Sequence, residues 1–283
     1  MKKALFSLLL ALGLALALPA HMGQINAPFD EAVDRVETAM TAAGFPLEKT
    51  LDVGLTIRNR GYEFPPLFLM MFQPDAALKA AVLDDPKVGT LVPVTVAVMA
   101  GPQGQTMFTV VDWASFAPYF ELDTQTAVAT EVAFAKIYGA LSTLSPLQFV
   151  PLPIPGALRA PYVGGRVTAT DDLEEAILLT ETGYQDRNMN VVGRTDFGGV
   201  YQLWLCSAEI ARDFFGNMFP IASRAPCRAV VWKQGDQVYM VASDPAINPQ
   251  KVDPKAFPPS LLQSFMQVLE MNGGVLEDLG IGQ

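Results

Sequence analysis

The chain of 283 residues contains a single histidine, His21, and only two cysteines, Cys206 and Cys227. A Ser-His-Asp or Cys-His catalytic arrangement needs a positioned imidazole, and histidine-rich zinc sites need several. Because His21 is close to the start of the chain, we expect it to lie in a mobile tail. The sequence therefore predicts no metal site and no cofactor, and it favours a non-catalytic protein over an enzyme.

Charged residues are also scarce, at 17% of the chain, and the formal net charge is −10. Nucleic acids and anionic membrane surfaces attract clustered Lys and Arg, and the sequence contains no such cluster. We therefore expect no nucleic-acid partner. Hydrophobic residues make up 51% of the chain, which is enough to bury two cores, and the length is typical of two domains.

The first 20 residues have the pattern of a secretory signal peptide. Lys2 and Lys3 form a basic start, residues 4–18 are apolar, and Ala20 places a small residue before a cut. An uncleaved membrane anchor is the alternative, but the apolar run is shorter than the roughly 20 residues that a spanning helix needs. We expect cleavage near His21, a periplasmic or secreted protein, and no stable membrane insertion after cleavage.

Two long segments, residues 67–112 and 201–244, share an apolar pattern and several identical residues. Their spacing drifts from 134 to 132 positions, as if one residue were lost in each of two loops. The identities pair Arg60 with Arg194, Leu69 with Leu203, Ala77 with Ala211, Pro86 with Pro220, Pro93 with Pro226, Gln105 with Gln237 and Asp112 with Asp244. This alignment places Phe72 opposite Cys206 and predicts a duplicated domain.

Hydrophobic periodicity predicts the same order of elements in both copies. In the first copy we predict helices over 29–43, 74–83 and 124–144, strands over 51–57, 67–72, 92–99 and 106–111, and a hairpin turn over 101–104. In the second we predict helices over 171–182, 208–215 and 258–272, and strands over 167–170, 190–194, 200–206, 227–233 and 237–242. This order predicts antiparallel sheets with helices on one face, which is the α+β class.

These elements divide the chain into a signal peptide and two repeat domains. The predicted boundaries are 1–20 for the signal peptide, 24–144 for the first repeat domain, 145–165 for a linker, 166–274 for the second repeat domain and 275–283 for a tail. Because the linker is rich in proline, we expect it to be stiff and extended.

The second copy carries a more specific pattern. Leu205-Cys206-Ser207-Ala208 closes one strand, Pro226-Cys227-Arg228 opens the next, and Trp232, a turn at Gly235 and Val238-Tyr239 follow. This pattern resembles the bacterial family called domain of unknown function 302 (DUF302). The resemblance covers both copies, although Phe72 and Val94 stand where the first copy would carry the cysteines. It implies tandem β-α-β4-α repeats, each with one antiparallel sheet, often paired as a dimer. Two joined copies would then form a pseudo-dimer within one chain. It implies no established activity.

Cys206 and Cys227 are predicted to lie at the edges of strands that flank one helix. In an exported protein this predicts a disulfide, which would close a loop of about 20 residues and contribute roughly 3 kcal/mol. Two buried free thiols, and a redox-active pair or a soft-metal site, are the alternatives. The chain has no Cys-x-x-Cys motif, and no neighbouring Lys or His would lower a thiol pKa.

Aromatic residues are denser on the strands of the second copy, so we expect a ligand or partner site there or where it faces the first copy. The candidate ligand-binding residues are Arg194, Tyr201, Trp204, Arg228 and Trp232. For each aromatic residue, core packing is the alternative. The favoured function is a non-catalytic periplasmic binding or interaction module for an unknown small molecule or periplasmic protein. The alternative is a redox accessory protein that uses Cys206 and Cys227.

Overall fold

The structure is a computed structural model that describes residues 19–101, 104–150, 159–246 and 258–282. Most of the predicted signal peptide, the centre of the 101–104 turn and several linker prolines lie outside these ranges. The described residues form two antiparallel sheets with associated helices. None of the described helices has the length and hydropathy needed to cross a membrane.

The first half of the chain contains one six-stranded sheet. Its elements are β1 (Ala20–Ile25), α1 (Phe29–Ala42), β2 (Leu47–Asp52), α2 (Val53–Arg58), β3 (Leu67–Phe72), α3 (Ala76–Asp84), the 3₁₀ helix η1 (Pro86–Leu91), β4 (Val94–Ala100), β5 (Thr106–Val111), α4 (Trp113–Phe116), η2 (Ala117–Tyr119), α5 (Thr124–Ser142) and β6 (Gln148–Val150). The strands lie in the order β2-β3-β4-β5-β1-β6.

The second half contains a five-stranded sheet. Its elements are β7 (Tyr162–Arg166), α6 (Leu173–Gln185), β8 (Asn190–Asp196), β9 (Val200–Cys206), α7 (Ala208–Asn217), the 3₁₀ helix η3 (Phe219–Arg224), β10 (Cys227–Gln234), β11 (Gln237–Ser243) and α8 (Pro259–Asp278). The strands lie in the order β7-β11-β10-β9-β8. Read from β8, this order repeats the order β2-β3-β4-β5-β1 of the first sheet. The α+β class is confirmed, and the two halves share the strand order that a duplication predicts.

Aspartate side chains fix the starts of several helices. Asp75 accepts a hydrogen bond from the backbone N–H of Leu78, and Asp172 accepts one from Glu175. Such caps satisfy backbone donors that have no partner within the helix. Asp52 does the same for Leu55 at the start of α2. For this reason the predicted strand over 51–57 is wrong: β2 ends at Asp52, and a short helix follows it.

The N-terminal region departs most from the sequence prediction. His21 does not lie in a mobile tail, because β1 runs between β5 and β6 and pairs with both. The sheet thus begins at Ala20, before the expected start of the first repeat domain. Two stretches of the predicted linker are also strands, β6 and β7. The predicted strand over 167–170 is therefore displaced, since β7 ends at Arg166.

Strand register corrects the sequence alignment of the two halves by one residue. Phe72 pairs with Val94 in the first sheet, and in the second sheet Leu205 pairs with Cys227. The counterpart of Phe72 is therefore Leu205, and the predicted match of Phe72 with Cys206 is wrong. A shift of one residue matters because it moves each side chain to the other face of the sheet. Arg60 and Arg194 are not counterparts either, because Arg60 follows α2 whereas Arg194 lies within β8.

Each sheet packs its own helices on one face and the other half of the molecule on the opposite face. On β4, Val94, Val96 and Val98 belong to a core with helices α1 and α5. The intervening Ala97 belongs to the core that contains α7 and α8 of the second half. On β10, Val230 joins the core of the first half in the same manner. Both cores therefore contain residues from both halves.

The 3₁₀ helices η1 and η3 make reciprocal contacts between the halves. η1 packs on β10 and β11 of the second sheet, and η3 packs on β4 and β5 of the first sheet. At this contact Gly89 approaches Val230 so closely that an added Cβ would lie 3.1 Å from the valine side chain. The segments that follow η1 and η3, next to Pro93 and Pro226, therefore lie at the boundary between the halves.

Candidate functional site

Arg228, one of the predicted ligand residues, holds the two halves together. Its side chain is only 2% exposed and lies against the first half. The Nη2 atom donates to the carbonyl of Pro93 at 2.7 Å and to the hydroxyl of Thr95 at 2.8 Å. Its partners are therefore groups of the protein. Thr95 occupies the position on β4 that corresponds to Arg228 on β10, so equivalent residues of the two halves meet here.

Trp204 is also buried at this boundary. Its Nε1 donates to the side-chain oxygen of Gln202 at 2.7 Å, and Gln202 donates to the carbonyl of Gly89 at 2.5 Å. The indole ring covers Gly193 of β8, where an added Cβ would lie 2.1 Å from the ring. Trp204 thus has a packing role, and the glycine is required by the close approach of the ring.

The other three predicted ligand residues lie apart from Arg228 and Trp204. Trp232 stacks on Tyr239 with ring centroids 5.4 Å apart. Arg194 forms an exposed ion pair with Glu181 of α6. Tyr201 is half-buried on β9. None of the five predicted residues lines the cavity or the cleft described below.

The predicted disulfide is absent, because Cys206 and Cys227 are both free and half-buried. Cys227 lies opposite Leu205, so Cys206 is one residue further along β9. Successive side chains of a strand point to opposite faces, and the two thiols are therefore not placed to bond. Burial raises the pKa of Cys206 to about 12, with a further contribution from Cys227. Burial also raises the pKa of Cys227, against the effect of Arg224 and Arg228.

The second half contains an apolar cavity of about 60 Å³ between α7, η3 and the ends of β9 and β10. Its lining consists mainly of apolar side chains, together with both cysteines and a few polar groups. The lining residues are Met189, Leu205, Cys206, Ser207, Ile210, Ala211, Phe214, Phe215, Ile221, Arg224, Ala225, Pro226, Cys227, Ser243, Asp244, Pro245 and Val268.

Two smaller side chains explain why this space is open in the second half. Leu205 stands where the first half has Phe72, and Phe72 is completely buried. Pro245 follows Asp244 as Trp113 follows Asp112, and Trp113 stacks on Phe134 with centroids 5.8 Å apart. The first half therefore fills its core with aromatic rings at positions where the second half has Leu and Pro.

A charged cluster borders the cavity. Asp244 accepts hydrogen bonds from Arg159 Nε at 3.0 Å and from Arg159 Nη2 at 2.5 Å. Arg224 Nη2 donates to the carbonyls of Pro161 and Asp244, at 3.0 and 2.9 Å. The Nη1 atom of Arg224 is buried and has no hydrogen-bond partner among the described residues.

Burial shifts the pKa of both ionised groups that border the cavity. It lowers the pKa of Arg224 to about 10, although Asp244 acts in the opposite direction. Arg224 is therefore still protonated at neutral pH. Burial also raises the pKa of Asp244, while Arg159 opposes that shift. The ion pair with Arg159 thus offsets part of the cost of burying the Asp244 carboxylate.

A polar cleft of about 680 Å³ adjoins the cavity, and Met189 and Ser207 line both spaces. Most of its other side chains are amides. The remaining lining residues are Arg60, Gln185, Asn188, Asn190, Val191, Glu209 and Gln267. Arg60 of the first half forms an ion pair with Glu209 at the start of α7. The cleft therefore lies on the boundary between the halves, next to the apolar cavity.

His21 and Asp112 form the counterpart of the Arg159–Asp244 pair in the first half. His21 Nε2 lies 2.9 Å from Asp112 Oδ1, and Ser115 donates to Asp112 Oδ2 from its backbone and its hydroxyl, at 3.0 and 2.5 Å. The imidazole also contacts Tyr138, with ring centroids 4.5 Å apart. Within the described residues, no group of three or more His, Cys, Asp or Glu side chains could hold a metal ion.

A family model described as domain of unknown function DUF302 matches residues 23–144. The matched residues run from β1 to just past α5. A solved structure, the crystal structure of an uncharacterised conserved DUF302 protein from Bacillus stearothermophilus, is similar at 13% identity with a TM-score of 0.40. The match covers 44% of this chain and 97% of that chain. No curated protein matches this chain.

The resemblance to DUF302 is thus confirmed for the first half, and membership of the second half stays a prediction. The family description carries no activity, so function has to be argued from the second-half cavity. Sequence reasoning missed its polar residues Arg224 and Ser207. The alignment of Asp112 with Asp244 could have pointed to this part of the second half. Asp112 pairs with His21 of β1, and Asp244 pairs with Arg159, which lies just before β7.

Proposed function

We propose that this protein is an exported, non-catalytic binding module whose ligand occupies the second-half cavity and the adjoining cleft. The observation that carries the proposal is the joined pair of spaces, apolar inside and amide-lined outside. Ligand sites are commonly concave and mostly apolar, with a few polar groups that fix orientation, and they favour domain boundaries. The first half, with Phe72 and Trp113 in its core, serves as the packed support.

The redox alternative has less support. A reactive cysteine needs a thiolate, and thiolates form where positive charge and exposure lower the pKa. Burial has the opposite effect on Cys206 and Cys227. The two thiols also lie one position out of register, so a reversible disulfide would require the strands to rearrange. We therefore assign the cysteines to the lining of the cavity.

Export is proposed from the basic start and apolar run of the first 20 residues. We expect the mature chain to begin at or just before His21, because a later cut would remove the His21 partner of Asp112. Intact mass measurement of the protein recovered from the periplasm or the medium tests this. A mature chain that still contains residues 5–18 would contradict the proposal.

The binding site can be tested with two small probes that share one apolar body, 3-methylbutan-1-ol and 3-methylbutanoate. In the variant Leu205→Phe, the ring of the first-half counterpart would occupy the cavity. We expect at least one probe to bind the wild-type protein in ligand-observed NMR, and Leu205→Phe to weaken that binding about tenfold or more, the loss expected when roughly 1.4 kcal/mol of contact energy is removed.

Leu205→Met is the matched control, because it keeps the volume of the side chain and such exchanges are usually well tolerated. It should bind the probes as the wild type does. If Leu205→Phe is folded by circular dichroism and still binds with unchanged affinity, the ligand site is not this cavity.

A further inference from the structure

We infer that the ligand of the cavity is a small organic monoanion, a carboxylate with a short apolar body, whose acid group is held by Arg224. The inference rests on the proposed function and specifies the chemistry of its ligand. Two observations carry it: an excess of positive charge beside the cavity and a buried guanidinium atom without a partner.

The cluster beside the cavity contains more cations than anions. Arg159, Arg224 and Arg228 bring three positive charges, and Asp244 is the only carboxylate that pairs with them in the described residues. Cys227 lies beside Arg224 and Arg228, but its raised pKa keeps the thiol neutral at pH 7. A chain with a net charge of −10 therefore has a positively charged region, partly buried, next to an apolar space.

The hydrogen-bond inventory points to Arg224 within this cluster. Arg228 directs its Nη atoms to groups of the protein; its Nε is also buried and unpaired among the described residues, but Arg228 does not line the cavity. Asp244 is bound by Arg159. Arg224 uses Nη2 for two carbonyls and leaves Nη1 buried and unpaired. A buried donor without an acceptor is costly, and more so when it is charged. A carboxylate oxygen is the acceptor that guanidinium groups bind best.

The shape and polarity of the cavity and the cleft limit the size of the ligand and the polarity of its body. Ser207 and Met189 line both cleft and cavity, whereas Arg224 lines the cavity alone. A molecule that enters from the cleft therefore reaches Arg224 through the apolar part. The cavity holds only a few carbon atoms at about 60 Å³. In the cleft, Arg60 and Glu209 neutralise each other, so an entering anion meets no net negative wall.

A monoanion fits this site better than a dianion such as phosphate. The two N–H groups of the unpaired Nη1, supported by the excess positive charge, can neutralise a single carboxylate. A phosphate would bring about two negative charges and three acceptor oxygens into an apolar lining. Those oxygens would lose water without gaining enough donors, which opposes binding.

The test compares 3-methylbutanoate with 3-methylbutan-1-ol by isothermal titration at pH 7, because the two probes differ only in the acid group. We expect the wild-type protein to bind the carboxylate about tenfold or more tightly, the gain typical of a charge-assisted hydrogen bond. Arg224→Gln should abolish this preference, and Arg224→Lys should retain part of it. Arg187→Gln is the matched control, since Arg187 pairs with Asp278 away from the cavity.

Each outcome separates this inference from the proposed function. If the wild type binds the alcohol and the carboxylate equally, the anion inference is overturned while cavity binding stands. If neither probe binds and Leu205→Phe changes nothing, the proposed function fails as well. Should Arg224→Gln not fold, the wild-type preference together with Arg224→Lys still decides, because a wild type without preference contradicts the inference by itself.

Discussion

The two halves of this molecule share a strand order and differ in what fills their cores. Between the first sheet and its helices lie Phe72, Trp113 and Phe134, and all three are buried. At the first two of these positions the second half has Leu205 and Pro245, and a cavity lies beside them. In one fold, therefore, the volumes of a few side chains at equivalent positions decide whether the core is fully packed or contains a cavity.

The aligned aspartates Asp112 and Asp244 also have different partners in the two halves. Asp112 is held by a histidine and a serine, whereas Asp244 is held by two nitrogen atoms of Arg159. Both aspartates have retained a turn role, since Asp112 accepts from the backbone of Ser115 and Asp244 from that of Ala246. Only the second half combines this aspartate with a cavity and an unpaired guanidinium atom.

The largest expected effect comes from emptying the filled core. Phe72→Ala should lower the free energy of unfolding by about 3–5 kcal/mol, since a completely buried ring is lost. Leu205→Phe, at the equivalent position, should be neutral or raise stability by about 0.5–2 kcal/mol, because it fills existing space. Urea unfolding of both variants measures this. A loss of several kcal/mol in Leu205→Phe would mean that the second half is as tightly packed as the first.

The next largest effect is expected at the contact between Arg228 and Thr95, which are equivalent residues of the two halves. Arg228→Gln should destabilise the protein by about 2–3 kcal/mol, because the Pro93 carbonyl and the Thr95 hydroxyl lose a charged donor in a buried place. Thr95→Val should cost about 1 kcal/mol, since only one of several partners of Arg228 is removed. Denaturant unfolding monitored by tryptophan fluorescence reports both. Equal losses would contradict the dominant role of Arg228.

A smaller, pH-dependent effect should differ in sign between the two aspartates. Burial acts to raise the pKa of Asp112, but hydrogen bonds from His21 and Ser115 outweigh it and lower the pKa. Its contribution is present above the unfolded-state pKa and is lost as the pH falls through the folded-state pKa. Asp244 has a raised pKa, mainly from burial, so its contribution declines as the pH rises through the folded-state value.

Urea unfolding of Asp112→Asn and Asp244→Asn between about pH 3 and pH 6 checks these signs, a range that brackets ordinary carboxyl pKa values. The stability difference between wild type and variant should grow with pH for Asp112 and shrink with pH for Asp244. The same slope for both variants would remove this distinction between the halves.

The smallest effect is expected at Arg194. Its ion pair with Glu181 is exposed, so Arg194→Ala should change stability by no more than about 0.5 kcal/mol. Because Arg194 lines neither the cavity nor the cleft, probe affinity should also be unchanged. A clear loss of probe binding in a folded Arg194→Ala protein would place the ligand site elsewhere on the second half.

Several elements were predictable because their signals are local. The bounds of β3, β5 and β9 agree with the predicted strands at both ends, since each is an apolar run between turn or helix-start residues. The α+β class follows from the order of these elements. In contrast, β1 was hidden at the end of the predicted signal peptide, and only its pairing with β5 and β6 identifies it.

The sequence by itself determined the class and the repeated order of elements, because hydrophobic periodicity is a property of the chain alone. Tertiary structure decided the one-residue register that separates Cys206 from Cys227 and pairs Phe72 with Leu205 as counterparts. It also decided that Arg228 joins the halves while Arg224 faces a cavity. Those outcomes depend on which face of a strand a side chain occupies and on what packs against it, and both are set by contacts between residues far apart in the sequence.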